Sequence, residues 1–110
     1  MGKRLPKNIQ QALTETQSRL RDLYAQRLKE IILFGSYARG DYASGSDIDL
    51  LVLLDQMSDS CAEREGYLPL VCELSLKYDT VLSVVPMDFD VWMTQKTPLI
   101  LNAKREGVRL

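Results

Sequence analysis

The sequence predicts an α+β fold, and three observations carry that prediction. Three short apolar runs rich in β-branched residues, Ile31 to Phe34, Ile48 to Leu54 and Thr80 to Pro86, read as strands. Around them lie longer segments with apolar residues at helical spacing. One hundred and ten residues with 45% apolar content suit one domain, residues 1–110, with a modest core.

Each element has a local reason. From about Asn8 to Leu28 an amphipathic helix is expected, because Ile9, Leu13, Leu20, Leu23 and Tyr24 recur near a 3.6-residue period while Gln, Thr, Arg and Lys fill a solvated side. The first strand runs from about Lys29 to Phe34 and stops at Gly35; the second spans Ile48 to Leu54. Asp55 to Ser60 is a polar connection in which Ser60 and Glu63 have capping-box spacing. A helical segment then continues to about Tyr78, and Gly66 and Pro69 either interrupt it or leave Pro69 in the first turn of a shorter helix. Pro86 limits the third strand. Asp88 to Trp92 lead into a last helix, with Thr97 as N-cap, Pro98 at its first position and Gly107 at its end. Phe89, Trp92 and Met93 are expected to pack in the core.

The segment that carries chemistry lies between the first two strands. It reads Gly35-Ser36-Tyr37-Ala38-Arg39-Gly40 and then Ser46-Asp47-Ile48-Asp49-Leu50. Gly35 lets a phosphate approach the backbone, and Ser36 opens a helical turn whose free N–H groups and hydroxyl attract anions. Asp47 and Asp49 share one side of a strand, since side chains alternate with period two. Their mutual repulsion is relieved by a divalent cation, and Mg²⁺ suits a few carboxylates completed by phosphate oxygens and water. Arg39 is expected either to steady a phosphate oxygen or to form a surface ion pair.

These two motifs resemble the signature of the minimal nucleotidyltransferases, a branch of the DNA polymerase β-like superfamily. The closing stretch Thr97 to Val108 resembles the end of such chains. The resemblance implies a small mixed β-sheet flanked by helices. It implies a nucleoside triphosphate, ATP foremost, bound with Mg²⁺ by Gly35, Ser36, Arg39, Asp47 and Asp49, and transfer of a nucleoside monophosphate to a hydroxyl. It also implies a helical HEPN-type protein partner, with this chain as the antitoxin of a toxin–antitoxin pair. Complete members carry a third carboxylate on a neighbouring strand, where this chain offers Ser83; Asp79, Asp88 and Asp90 flank that strand as substitutes. The alternative is a module that neutralises its partner by contact without catalysis.

Composition narrows the field independently. A net charge of −1 and a pI near 5.4 argue against a broad nucleic-acid footprint. With no histidine in the chain, Ser-His-Asp and Cys-His mechanisms cannot be built, and zinc is disfavoured. The N-terminus lacks the apolar core of a signal peptide and no stretch is long enough to span a bilayer, so a cytoplasmic location is expected. Cys61 and Cys72 are then expected to be free packing residues; on one helix they stand about 16 Å apart.

Overall fold

A computed structural model describes residues 5–43, 45–57 and 60–110, with the backbone alone described at Ser60 and Cys61. In chain order the elements are α1 (Lys7–Tyr24), a 3₁₀ turn (Ala25–Arg27), β1 (Leu28–Phe34), α2 (Ser36–Arg39), β2 (Ile48–Leu54), α3 (Ser60–Lys77), β3 (Leu82–Asp88), α4 (Phe89–Thr94), α5 (Pro98–Glu106) and β4 (Val108–Arg109). The four strands form one mixed sheet in the order β3-β2-β1-β4. β1 runs antiparallel to β2 and to β4, whereas β3 lies parallel to β2. A parallel pair needs a crossover connection, and α3 supplies it.

The sheet is covered on both faces. One face packs Ile31, Leu33, Ile48, Leu50, Val52, Leu54 and Leu82 against Ile9, Leu13, Leu20 and Tyr24 of α1 and Tyr67, Leu70 and Leu74 of α3. The other packs Ile32, Leu51 and Leu53 against Trp92 of α4 and Ile100 and Ala103 of α5. β2 is therefore buried on both sides, which explains why Leu50 to Leu54 are uninterruptedly apolar rather than alternating. Asp49, odd-numbered like Leu51 and Leu53, belongs to the α4/α5 face.

Several expectations are corrected. The first helix ends at Tyr24, and Leu28 opens β1 rather than closing the helix. Leu23 is exposed, while Ala12 and Thr16 fill the core-facing stripe; Thr16 is tolerated there because its hydroxyl donates to the Ala12 carbonyl at 2.6 Å. Neither Gly66 nor Pro69 breaks α3, which runs continuously over 18 residues. Burial of Tyr67, Leu70 and Leu74 offsets the missing proline hydrogen bond. Pro86 sits inside β3 because that strand pairs on one side only, and an edge accommodates proline. Asp88 to Trp92 do not merge with the last helix: Asp88 caps a separate α4 by accepting from Asp90 N at 2.8 Å. Thr97 caps α5, with Pro98 at its start. Trp92 is buried and Phe89 packs against it, but Met93 is exposed. Cys72 is also exposed rather than packed. The Ser60 side of the capping box and the Cys61 side chain lie outside the described residues, and the Glu63 carboxylate is held by Arg27 instead.

Candidate nucleotide site

The site assembles at one end of the sheet, where β1 stops and β2 begins. Phe34, the last residue of β1, pairs with Asp49. The next residue, Gly35, has φ +76° and ψ −156°, a region open essentially to glycine alone. This turn delivers Ser36 to the start of α2. A Cβ added at Gly35 would overlap the Asp49 Oδ2 atom and lie 3.1 Å from its Cγ, so the space left by the missing side chain is where the Asp49 carboxylate rests. Gly35 thus serves Asp49 directly, a role the sequence did not disclose.

Asp47 and Asp49 come together as the alternation requires. Asp47 precedes β2 and is exposed; Asp49 is half-buried within it. Burial raises the proton affinity of Asp49 above the ordinary aspartate range, and the Asp47 charge raises it further, while the Arg39 guanidinium pulls it back. On the other flank, Asp49 is in register with Ser83 of β3. The neighbouring strand therefore presents a hydroxyl beside Asp49, where the family resemblance leads one to expect a carboxylate.

None of the flanking acids takes that place. Asp88 pairs with Leu54 at the opposite end of β2, about 16 Å along the strand from Ser83, and its carboxylate accepts from Met57 N and Asp90 N. Asp90 lies beyond it, in the first turn of α4. Asp79 is at the near end, in the turn before β3, and lines a cavity of about 820 Å³ with Tyr37, Tyr42, Gly45, Ser46 and Val81, but among the described residues it forms no metal-holding group with Asp47 and Asp49. Tyr37 is buried there and stacks on Tyr42 with ring centroids 4.6 Å apart, which makes it a packing residue. Among the described residues no group of three Asp, Glu, Cys or His side chains could hold a metal ion.

Arg39, at the end of α2, is engaged by carboxylates. Its Nε donates to Asp41 Oδ2 at 3.0 Å and its Nη1 to Glu106 Oε2 at 3.3 Å. Glu106 ends α5, and the sequence pattern gave no sign that it reaches this end of the sheet. The turn that brings it there depends on Gly107, where an added Cβ would overlap the Ala103 carbonyl oxygen and lie 2.6 Å from Ile32 Cγ2. Gly107 is thus required by close approach, not by a left-handed backbone, since its φ is −70°.

The profile of the nucleotidyltransferase domain matches residues 13–104. A protein of Methanocaldococcus jannaschii named as a protein adenylyltransferase, MJ0604, is 40% identical over 78 residues, covering 71% of this chain and 72% of the relative. A second from the same organism with that activity in its name, MJ0141, is 35% identical over 102 residues, covering 93% of this chain and 98% of the relative. Among solved structures, a chain of a toxin–antitoxin crystallised with AMP-PNP matches with a TM-score of 0.61 and 25% identity over 86% of this chain and 69% of its own length. The Gly-Ser turn and the Asp-x-Asp strand lie within the matched span, and the chain belongs to the nucleotidyltransferase domain family.

Proposed function

We propose that this nucleotidyltransferase uses Mg²⁺ and ATP to transfer AMP to a hydroxyl on a helical HEPN-type partner, acting as the antitoxin of the pair. The observation that carries the reading is the Asp47–Asp49 pair beside Gly35, at the sheet end from which α2 starts. Support for ATP and for a protein acceptor comes from the relatives named as protein adenylyltransferases and the toxin–antitoxin crystallised with AMP-PNP.

The donor set fits Mg²⁺. Two neighbouring carboxylates without a third protein ligand among the described residues suit an ion that keeps water and takes phosphate oxygens, rather than one needing an all-protein cage. Asp47 and Asp49 would hold it, and when bound it supplies charge neutralisation on the triphosphate. Asp49 rests half-buried against the Gly35 backbone, and Gly35 and Ser36 would cradle the β- and γ-phosphates. Ser36 donates its hydroxyl to a phosphate oxygen, and Arg39 offers its planar fork to another. Displacement forms the bond from the acceptor oxygen to the α-phosphorus and breaks the bond to pyrophosphate, with the acceptor proton leaving to solvent or to a base on the partner. Ser83 offers no carboxylate for that proton.

Ser83 favours a second reading, in which the chain binds nucleotide and blocks its partner by contact. The two separate in one experiment: incubate the chain with ATP, Mg²⁺ and the protein encoded by the adjacent gene, and weigh the partner by intact mass spectrometry. A gain of one AMP, lost with Asp49→Asn, supports transfer. A stable complex without added mass overturns it in favour of contact.

A further inference from the structure

Glu106 stands out because it breaks a local rule. A carboxylate in the last turn of a helix opposes the helix dipole, and here it closes α5 directly after Lys104 and Arg105, which obey it. Its side chain is only 27% exposed, and it joins a chain of alternating charge: Asp41, Arg39, Glu106 and Arg105, the last pair at 3.6 Å. Through Gly107 the helix end is packed against Ile32 of β1, so Glu106 is held at a fixed place by backbone and not by its own ion pair.

That place is on the nucleotide side of the sheet. α5 packs on the face that Asp49 shares, and the Arg39 guanidinium that Glu106 grips is close enough to Asp49 to act on its charge. Asp41 takes Nε and Glu106 takes Nη1, so the two carboxylates occupy two N–H positions of a fork whose geometry also matches a phosphate. A carboxylate and a phosphate oxygen compete for the same donor.

We propose that Glu106 is a positioning residue that sets the affinity for the nucleotide: its carboxylate occupies Arg39 before a nucleoside triphosphate arrives, and the triphosphate must displace it. The inference rests on the reading of Asp47 and Asp49 as the Mg²⁺-nucleotide site. Both ion pairs of Arg39 are solvent-accessible and weak, so the exchange is within reach of a triphosphate.

The test is a double-mutant cycle on the full chain, with binding of the non-hydrolysable analogue AMP-PNP in Mg²⁺ followed by calorimetry. Glu106→Gln is expected to tighten binding about two- to fivefold, the size of one exposed ion pair. Arg39→Ala is expected to weaken it. In the Arg39→Ala background, Glu106→Gln is expected to give less than half of its original gain. No tightening by Glu106→Gln, or a gain of half or more without Arg39, overturns the proposal. A melting temperature unchanged in Glu106→Gln separates these outcomes from loss of fold. If the wild-type chain shows no Mg²⁺-dependent binding of AMP-PNP, the site reading itself fails, and this inference with it.

Discussion

Replacing Gly35 by alanine is expected to destabilise the protein by about 2–4 kcal/mol, and the figure follows from two features of one residue. A non-glycine residue at φ +76° and ψ −156° carries roughly 1–3 kcal/mol of backbone strain. The new methyl would also overlap Asp49 Oδ2 and sit 3.1 Å from Cγ, forcing the carboxylate off its rotamer at about 0.5–1.5 kcal/mol. With an unfolding entropy of about 2.1 cal/mol/K per residue, a chain of 110 residues loses roughly 9–17 °C of melting temperature for such a change. Calorimetric melting measures it, and urea denaturation checks that the m-value is unchanged. Repeating the substitution in an Asp49→Ala background removes the collision and leaves the strain. A loss below 1 kcal/mol refutes the backbone argument, and equal losses in both backgrounds refute the contact with Asp49.

Three further outcomes follow from the same geometry. Tyr24→Phe is expected to stabilise the protein by about 1 kcal/mol, because the buried Tyr24 hydroxyl has no hydrogen-bond partner among the described residues and burial pushes its pKa up to about 12; urea denaturation reads the gain. Pro69→Ala is expected to add about 1–2 kcal/mol, since Pro69 is exposed within α3 and its replacement restores a helical N–H without loss of packing. Asp49→Asn is expected to raise the melting temperature while abolishing Mg²⁺-dependent nucleotide binding. The folded state raises the proton affinity of Asp49, so its contribution to stability is full in acid and is lost as pH rises through the folded-state value. The advantage of the asparagine variant should therefore open above pH 3.8, the ordinary aspartate value, and level off above the folded-state value. An advantage that shrinks with rising pH would contradict the cause assigned to the shift.

What the sequence disclosed was what depends on local pattern. β2 was legible to the residue, since an apolar run bounded by Asp47 and Asp55 admits little slippage. Thr97, Pro98 and the Gly35-Ser36 turn were legible because caps and turns are local chemistry. What stayed hidden depends on contacts distant in sequence. Pro86 read as a strand stop because nothing in the sequence says that β3 pairs on one side only. Pro69 read as an interruption or as the first turn of a shorter helix because the burial of Tyr67, Leu70 and Leu74 that overrides both comes from the sheet and α1. β4 is two residues long and exists through its pairing with Ile32 and Leu33. Glu106 reaches Arg39 across 67 residues of sequence, a juxtaposition that only the packing of α5 creates.

The distribution of local exceptions is itself an argument about the site. Positive φ at Ala25, Gln56 and Asp79 is scattered over three separate junctions. Three other exceptions converge. Gly35 holds a conformation no other residue adopts easily, Asp49 is half-buried beside a like charge, and Glu106 opposes the dipole of its own helix. Each touches or acts upon the next group through Asp49 or Arg39. A fold selected for stability alone would have an ordinary turn in place of Gly35 and an asparagine at position 49. Unfavourable choices gathered at one end of a sheet fit the proposed site, where a polyphosphate with its cation would neutralise the carboxylate pair and engage the arginine.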